Sequence, residues 1–196
     1  MDGTLADGPD DDPTDRTWYE LMRAKHTMLP LSTVRKSRWC GYALLLAALA
    51  GPIVATLPAP VRETYFAGDP LRTPLGAAAV ALFGVACLAF AGVGLAGLAL
   101  HVRRGPEPDE SRVWTLIGAE DALSGIGFVT GFLGVATGVG ILASGHAGVD
   151  GVEWLLGIGI DPYLGVRTAV ATPLVTSLVA LCAAIVTLGL ARTAAR

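Results

Sequence analysis

Asparagine and glutamine are absent from all 196 positions, lysine occurs only twice, and charged residues make up 16% of the chain. So little charge excludes an ordinary soluble domain, where about a quarter of residues are charged. The missing amides, with twelve arginines against two lysines, fit a GC-rich coding sequence. No Walker A lysine loop, Rossmann fingerprint or nucleophile elbow is present. Cys-x-x-Cys is absent too: Cys40, Cys87 and Cys182 fall in three separate apolar runs, as small packing residues. A net charge of −3, with the basic residues lining a membrane, argues against nucleic-acid binding, and no cofactor is expected.

What the chain has instead is 53% hydrophobic residues and a mean hydropathy of +0.57. The charges cluster, leaving four uncharged runs: Trp39 to Val61, Thr73 to Leu100, Ala122 to Gly145 and Thr168 to Ala191. At 1.5 Å per residue, Trp39 to Leu57 alone makes a helix of about 28 Å, close to the ~30 Å of the hydrocarbon core. The runs lack the alternation of a β-barrel. The expectation is an all-α, polytopic integral membrane protein, a four-transmembrane-helix bundle with helices near 39–61, 73–102, 114–145 and 164–191.

Orientation follows from lysine and arginine. With the N-terminus cytoplasmic, that side holds eleven basic residues, and the other keeps only Arg62, Arg72 and Arg167. Both termini are expected in the cytoplasm, and the location is the cell membrane. Trp39, Tyr42 and Trp114 would mark the inner interface, and Tyr65, Phe66, Trp154 and Tyr163 the outer one.

Residues 1–15 hold six aspartates and no basic residue, so they read as a disordered acidic tip rather than a signal peptide. Residues 16–38 read as a basic, amphipathic juxtamembrane segment. In it Thr17-Trp-Tyr-Glu20 matches a capping box, and Trp18, Leu21, Met22 and Leu29 share a face. This helix either lies on the inner membrane surface or is a solvated leader into the first span. Residues 39–196 form the membrane domain.

Two segments share a pattern: Thr73-Pro74-Leu75 with Val80-Ala81-Leu82, and Thr172-Pro173-Leu174 with Val179-Ala180-Leu181. Each follows an Asp-Pro pair, Asp69-Pro70 or Asp161-Pro162. Either this is chance in an Ala, Leu and Val-rich chain, or the bundle is two parallel helical hairpins about an axis along the membrane normal.

In the third span Gly127, Gly131, Gly134 and Gly138 fall on one stripe with Ser124 and Glu120. A face without side-chain bulk admits another helix at close range. The expected partner is the second span near Ala77, Ala81, Gly84 and Ala91, with a homodimer contact as the alternative. At the head of the stripe stand Glu120 and Asp121. Depth decides their meaning: a helix starting near Trp114 carries them two turns inside, as a functional carboxylate pair, whereas one starting near Ala119 makes them first-turn acids favoured by the helix dipole. In the fourth span Thr168, Thr172 and Thr176 form either a polar stripe or hydroxyls bonded to their own backbone, with Pro173 inside as a kink. His146, Asp150, Glu153 and Asp161 lack a metal-ligand spacing, so no metal site is expected.

No complete catalytic constellation is present. The first expectation is a helix-packing subunit or scaffold of a membrane complex without catalytic activity, its partners being the lipid bilayer and other membrane subunits or itself. The alternative is a small oligomeric transporter or channel using Glu120, Asp121 and the threonine stripe.

Overall fold

The computed structural model describes residues 18–29, 31–105 and 108–196. The acidic tip and Thr17 of the capping box lie outside them. Among the described residues every regular element is helical, with a single antiparallel bridge between Leu75 and Gly165. Four helices are long and apolar enough to cross a membrane, spanning Thr33–Ala55, Gly76–Arg104, Glu110–Gly157 and Pro173–Ala195.

A short helix, α1 (Trp18–His26), precedes the first long one. The latter begins at Thr33, inside the segment expected to be juxtamembrane, because Ser32 caps it: its hydroxyl accepts from the Arg35 N–H at 3.3 Å. The helix runs as α2 (Thr33–Ala47), breaks at Ala48 and Leu49, and resumes as α3 (Ala50–Ala55). Pro52 lies four residues beyond Ala48; it has no N–H for the Ala48 carbonyl and its ring crowds that carbonyl. Ser177 of the last helix steadies the junction, its hydroxyl accepting from the Gly51 N–H at 2.6 Å.

After α4 (Ala59–Tyr65), α5 (Gly76–Arg104) returns as the longest uninterrupted helix. The third crossing starts at Glu110, before Trp114, because Asp109 caps it by accepting from the Arg112 N–H at 3.1 Å. It comprises α6 (Glu110–Ser124), a π-helical stretch at Gly125–Gly131 and α7 (Phe132–Ala143). A 3₁₀ turn at Ser144–Ala147 leads into α8 (Gly148–Gly157), and α9 (Pro173–Ala195) closes the bundle.

The fourth helix therefore begins at Pro173, not near 164. Proline sits at the first helical position, where its missing N–H costs nothing, and Thr172 caps the end by accepting from the Val175 N–H at 3.2 Å. Residues 164–171 run along the start of α5: the Gly76 N–H donates to the Leu164 carbonyl (2.8 Å), the Val166 N–H to Pro74 (3.1 Å) and the Leu75 N–H to Ala171 (2.9 Å).

α2 and α5 form the inner pair. Both touch α7 on one side and α9 on the other, and neither α6 nor α7 has a comparable interface with α9. The alternative of two equivalent hairpins is not what packs here, since α2 lies along α5 whereas α7 does not lie along α9. What the two Asp-Pro pairs do share is a turn: Asp69 accepts from the Leu71 N–H and Asp161 from the Tyr163 N–H, each at 3.0 Å.

Large apolar side chains cover the exterior. Phe83, Phe90, Leu133, Leu178 and Ile185 are each more than half exposed, far more apolar surface than a soluble monomer leaves in water. Four apolar helices with this exterior point to embedding in a membrane.

Candidate functional site

α2 buries Thr33, Lys36, Cys40, Ala43 and Ala47, a stripe at three- and four-residue spacing. Lys36 is thus carried into the bundle by the helical repeat, while Arg35 and Arg38 on either side of it are not among the residues the helix buries. Across from it α6 presents Glu120. With α6 starting at Glu110, Glu120 lies about 15 Å along the helix, the deeper of the two placements considered above.

The Lys36 ammonium donates to Glu120 Oε1 at 2.7 Å, and both side chains are fully buried. A second cation arrives from α1: Arg23 Nη1 lies 3.1 Å from the same Oε1. That nitrogen also faces the Leu31 carbonyl at 3.1 Å and Thr33 Oγ1 at 3.2 Å. One guanidinium therefore ties the turn before α2 to a carboxylate on α6. Glu120 Oε2 is buried without a hydrogen-bond partner. Asp121, half-buried, accepts from the Met28 N–H at 3.2 Å, a second tie between the same segment and α6. The formal charges of Arg23, Lys36, Glu120 and Asp121 cancel. A fully buried charge is tolerated only when paired, so these contacts are what allow Glu120 and Lys36 to sit where they do.

α1 itself docks on α6. Met22 packs against a small cluster centred on Val113 and Ile117, and the His26 and Trp114 rings meet edge-on at 5.0 Å. Met22 of its apolar face is thus engaged by protein, while Leu21 is half exposed.

The glycine stripe faces α5. A Cβ on Gly138 would lie 2.6 Å from both the Ala77 carbonyl oxygen and the Ala81 nitrogen; on Gly134, 3.1 Å from the Gly84 Cα; on Gly131, 2.9 Å from Leu88; and on Gly127, 2.8 Å from the Ala91 Cβ. Here two backbones touch, and the stripe is filled from within the chain. In lipid such contact supplies the van der Waals packing that holds helices together.

The three threonines do not make a stripe. Thr168 is exposed ahead of α9, Thr172 is the cap, and Thr176 lies inside the bundle, donating to the Thr172 carbonyl at 2.9 Å and toward the Ala78 carbonyl at 3.4 Å. Pro173 starts the helix rather than kinking it. In the opposite connection His146 Nε2 is 3.2 Å from the Thr56 hydroxyl, and Asp161 is engaged in its turn. Among the described residues no three His, Cys, Asp or Glu side chains converge to hold a metal.

Sequence reasoning singled out Glu120 and Asp121 but missed Lys36 and Arg23 as their partners. The signal for Lys36 was its place four residues before Cys40, on the face that continues through Ala43 and Ala47; Arg23 carried none. Compared with known protein families, with characterised proteins and with solved structures, the chain matches none of them.

Proposed function

We propose that the protein crosses the cell membrane four times with both ends in the cytoplasm, and serves as a non-catalytic helix-packing subunit or scaffold of a membrane complex. The orientation rests on the basic residues: among the described residues ten fall at the end of the bundle bearing α1 and the C-terminus, and three at the other. The role rests on one observation, the engagement of Glu120 by Lys36 and Arg23 of the same chain. A transport carboxylate has to exchange its partner for a proton or solute, whereas this one holds the N-terminal segment to α6. The glycine face and Thr176 are likewise occupied internally, which leaves the apolar exterior as the surface offered to neighbours.

Purification in mild detergent after in-cell crosslinking tests this reading. The 20.1 kDa chain is expected in a stable hetero-complex that Glu120→Gln weakens only as far as it weakens the fold. A pure homo-oligomer that conducts ions or solutes in vesicles, and loses that flux in Glu120→Gln at normal protein level, overturns it in favour of a transporter or channel.

A further inference from the structure

α7 is drawn onto α5 by its glycines, and this leaves a groove between α7 and α2. The groove holds about 360 Å³, with Leu88 of α5 in its lining, Trp39, Tyr42 and Leu46 on one wall and Phe128 and Phe132 on the other. That is the small end of the range of ligand sites, about 300–1,000 Å³. Trp39 and Tyr42 stand edge-on at 6.3 Å, and both are about half exposed. The wall is straight in register: Arg35, Trp39, Tyr42 and Leu46 follow one another at four, three and four residues along α2, and Arg38 precedes Tyr42 by four. Both arginines thus stand N-terminal to the aromatics on α2, on the side of the charged end, the direction in which helical side chains lean. Among the described residues neither arginine pairs with an acid. Glu120 is taken by Lys36 and Arg23.

We infer that this groove binds one anionic glycerophospholipid of the cytoplasmic leaflet, an acyl chain lying against Trp39, Tyr42, Phe128 and Phe132 and the phosphate meeting Arg35 and Arg38. Inside a bilayer the chain gains no hydrophobic free energy by entering, since lipid is as apolar as the groove. Selection therefore falls to the headgroup, where basic residues at the surface attract anionic lipid and a guanidinium matches phosphate geometry. The inference rests on the membrane insertion proposed above and adds a ligand to it.

The test uses the full chain with Trp18, Trp114 and Trp154 changed to Phe, so that Trp39 is the only indole, reconstituted in phosphatidylcholine bilayers. Brominated phosphatidylglycerol is expected to quench Trp39 with a several-fold higher relative association constant than brominated phosphatidylcholine. Arg35→Ala with Arg38→Ala should bring that ratio close to one while leaving quenching by phosphatidylcholine unchanged, which reports that the fold is intact. Arg104→Ala with Arg192→Ala, which removes charge elsewhere at the same end, should leave the ratio alone. Equal quenching by the two lipids, or a preference that survives loss of Arg35 and Arg38, overturns the lipid site while leaving insertion standing. No quenching by either lipid means that the groove is covered by another protein or is outside the bilayer, and overturns it as well. Proteolytic protection of the spanning helices separates those two cases.

Discussion

The two ends of the bundle are closed by different chemistry. At the end carrying α1, long side chains do the joining: Lys36 and Arg23 converge on Glu120, and Arg103 reaches the Ala194 carbonyl at 3.0 Å near the end of α9, where a cation is favoured by the exposed carbonyls and the helix dipole. At the other end backbone does it. Residues 164–171 bond to the start of α5, and the Leu174 N–H donates to Leu71 at 3.2 Å. Tyr65, Phe66 and Tyr163 fill the space beneath, Phe66 and Tyr163 with ring centres 4.8 Å apart. The first end depends on few residues, each hard to replace. The second is spread over many main-chain bonds, so no single side chain should matter as much.

The sharpest break in that comparison is Glu120→Leu. It strands Lys36 in the bundle and removes the Arg23 tie, and a cost of about 3–5 kcal/mol is expected. Thermal unfolding in detergent measures it, and an unchanged Tm would contradict the account. Next comes Gly138→Ala, on the half of the bundle held by close backbone contact. Its methyl would meet backbone atoms of Ala77 and Ala81, which cannot swing aside, so a loss of about 1–3 kcal/mol is expected. Gly140, where an added methyl group would have nothing within 4 Å, is the control, and Gly140→Ala should lie within about 0.5 kcal/mol of wild type. A similar loss at both positions would mean that close packing is not what distinguishes the stripe.

Smallest is Tyr163→Phe. The hydroxyl is buried beside the Gly145 backbone without a hydrogen bond of good geometry, so its removal should be neutral to slightly stabilising near pH 7. Burial pushes the Tyr163 phenol up from its ordinary 10 to about 12. Between those values the folded chain keeps a proton that the unfolded chain has released. Stability should therefore fall in wild type, relative to Tyr163→Phe, as pH rises above about 10, with no difference from this group below it. Parallel pH profiles through that window would show that the hydroxyl is not buried as described.

The four crossings were legible because uncharged runs of this length have few other uses. Their ends were harder to read, because charge is a poor marker of where a helix begins. Ser32, Asp109 and Thr172-Pro173 are all capping signals that the sequence displays, and each places the true start away from the edge of an uncharged run. The first helix begins among arginines for that reason, and the fourth begins well inside its run. The glycine stripe was readable from spacing alone. The pairing of Lys36 with Glu120 was not: 84 residues separate them, and only the approach of α2 to α6 across the bundle brings them together. The hairpin repeat illustrates the converse, since matching Asp-Pro turns gave similar local structure without equivalent packing.

The central claim is that the buried carboxylate is a structural partner of Lys36, and a double-mutant cycle with Glu120→Leu and Lys36→Met tests it most directly. Replacing both charges with apolar side chains of similar size should restore most of the stability that either single change removes, because no fully buried ion is then left unpaired and only the partly exposed Arg23 loses its acid. Losses that simply add in the double variant would contradict the claim, and would mean that Glu120 is held in the bundle by something other than the ion pair.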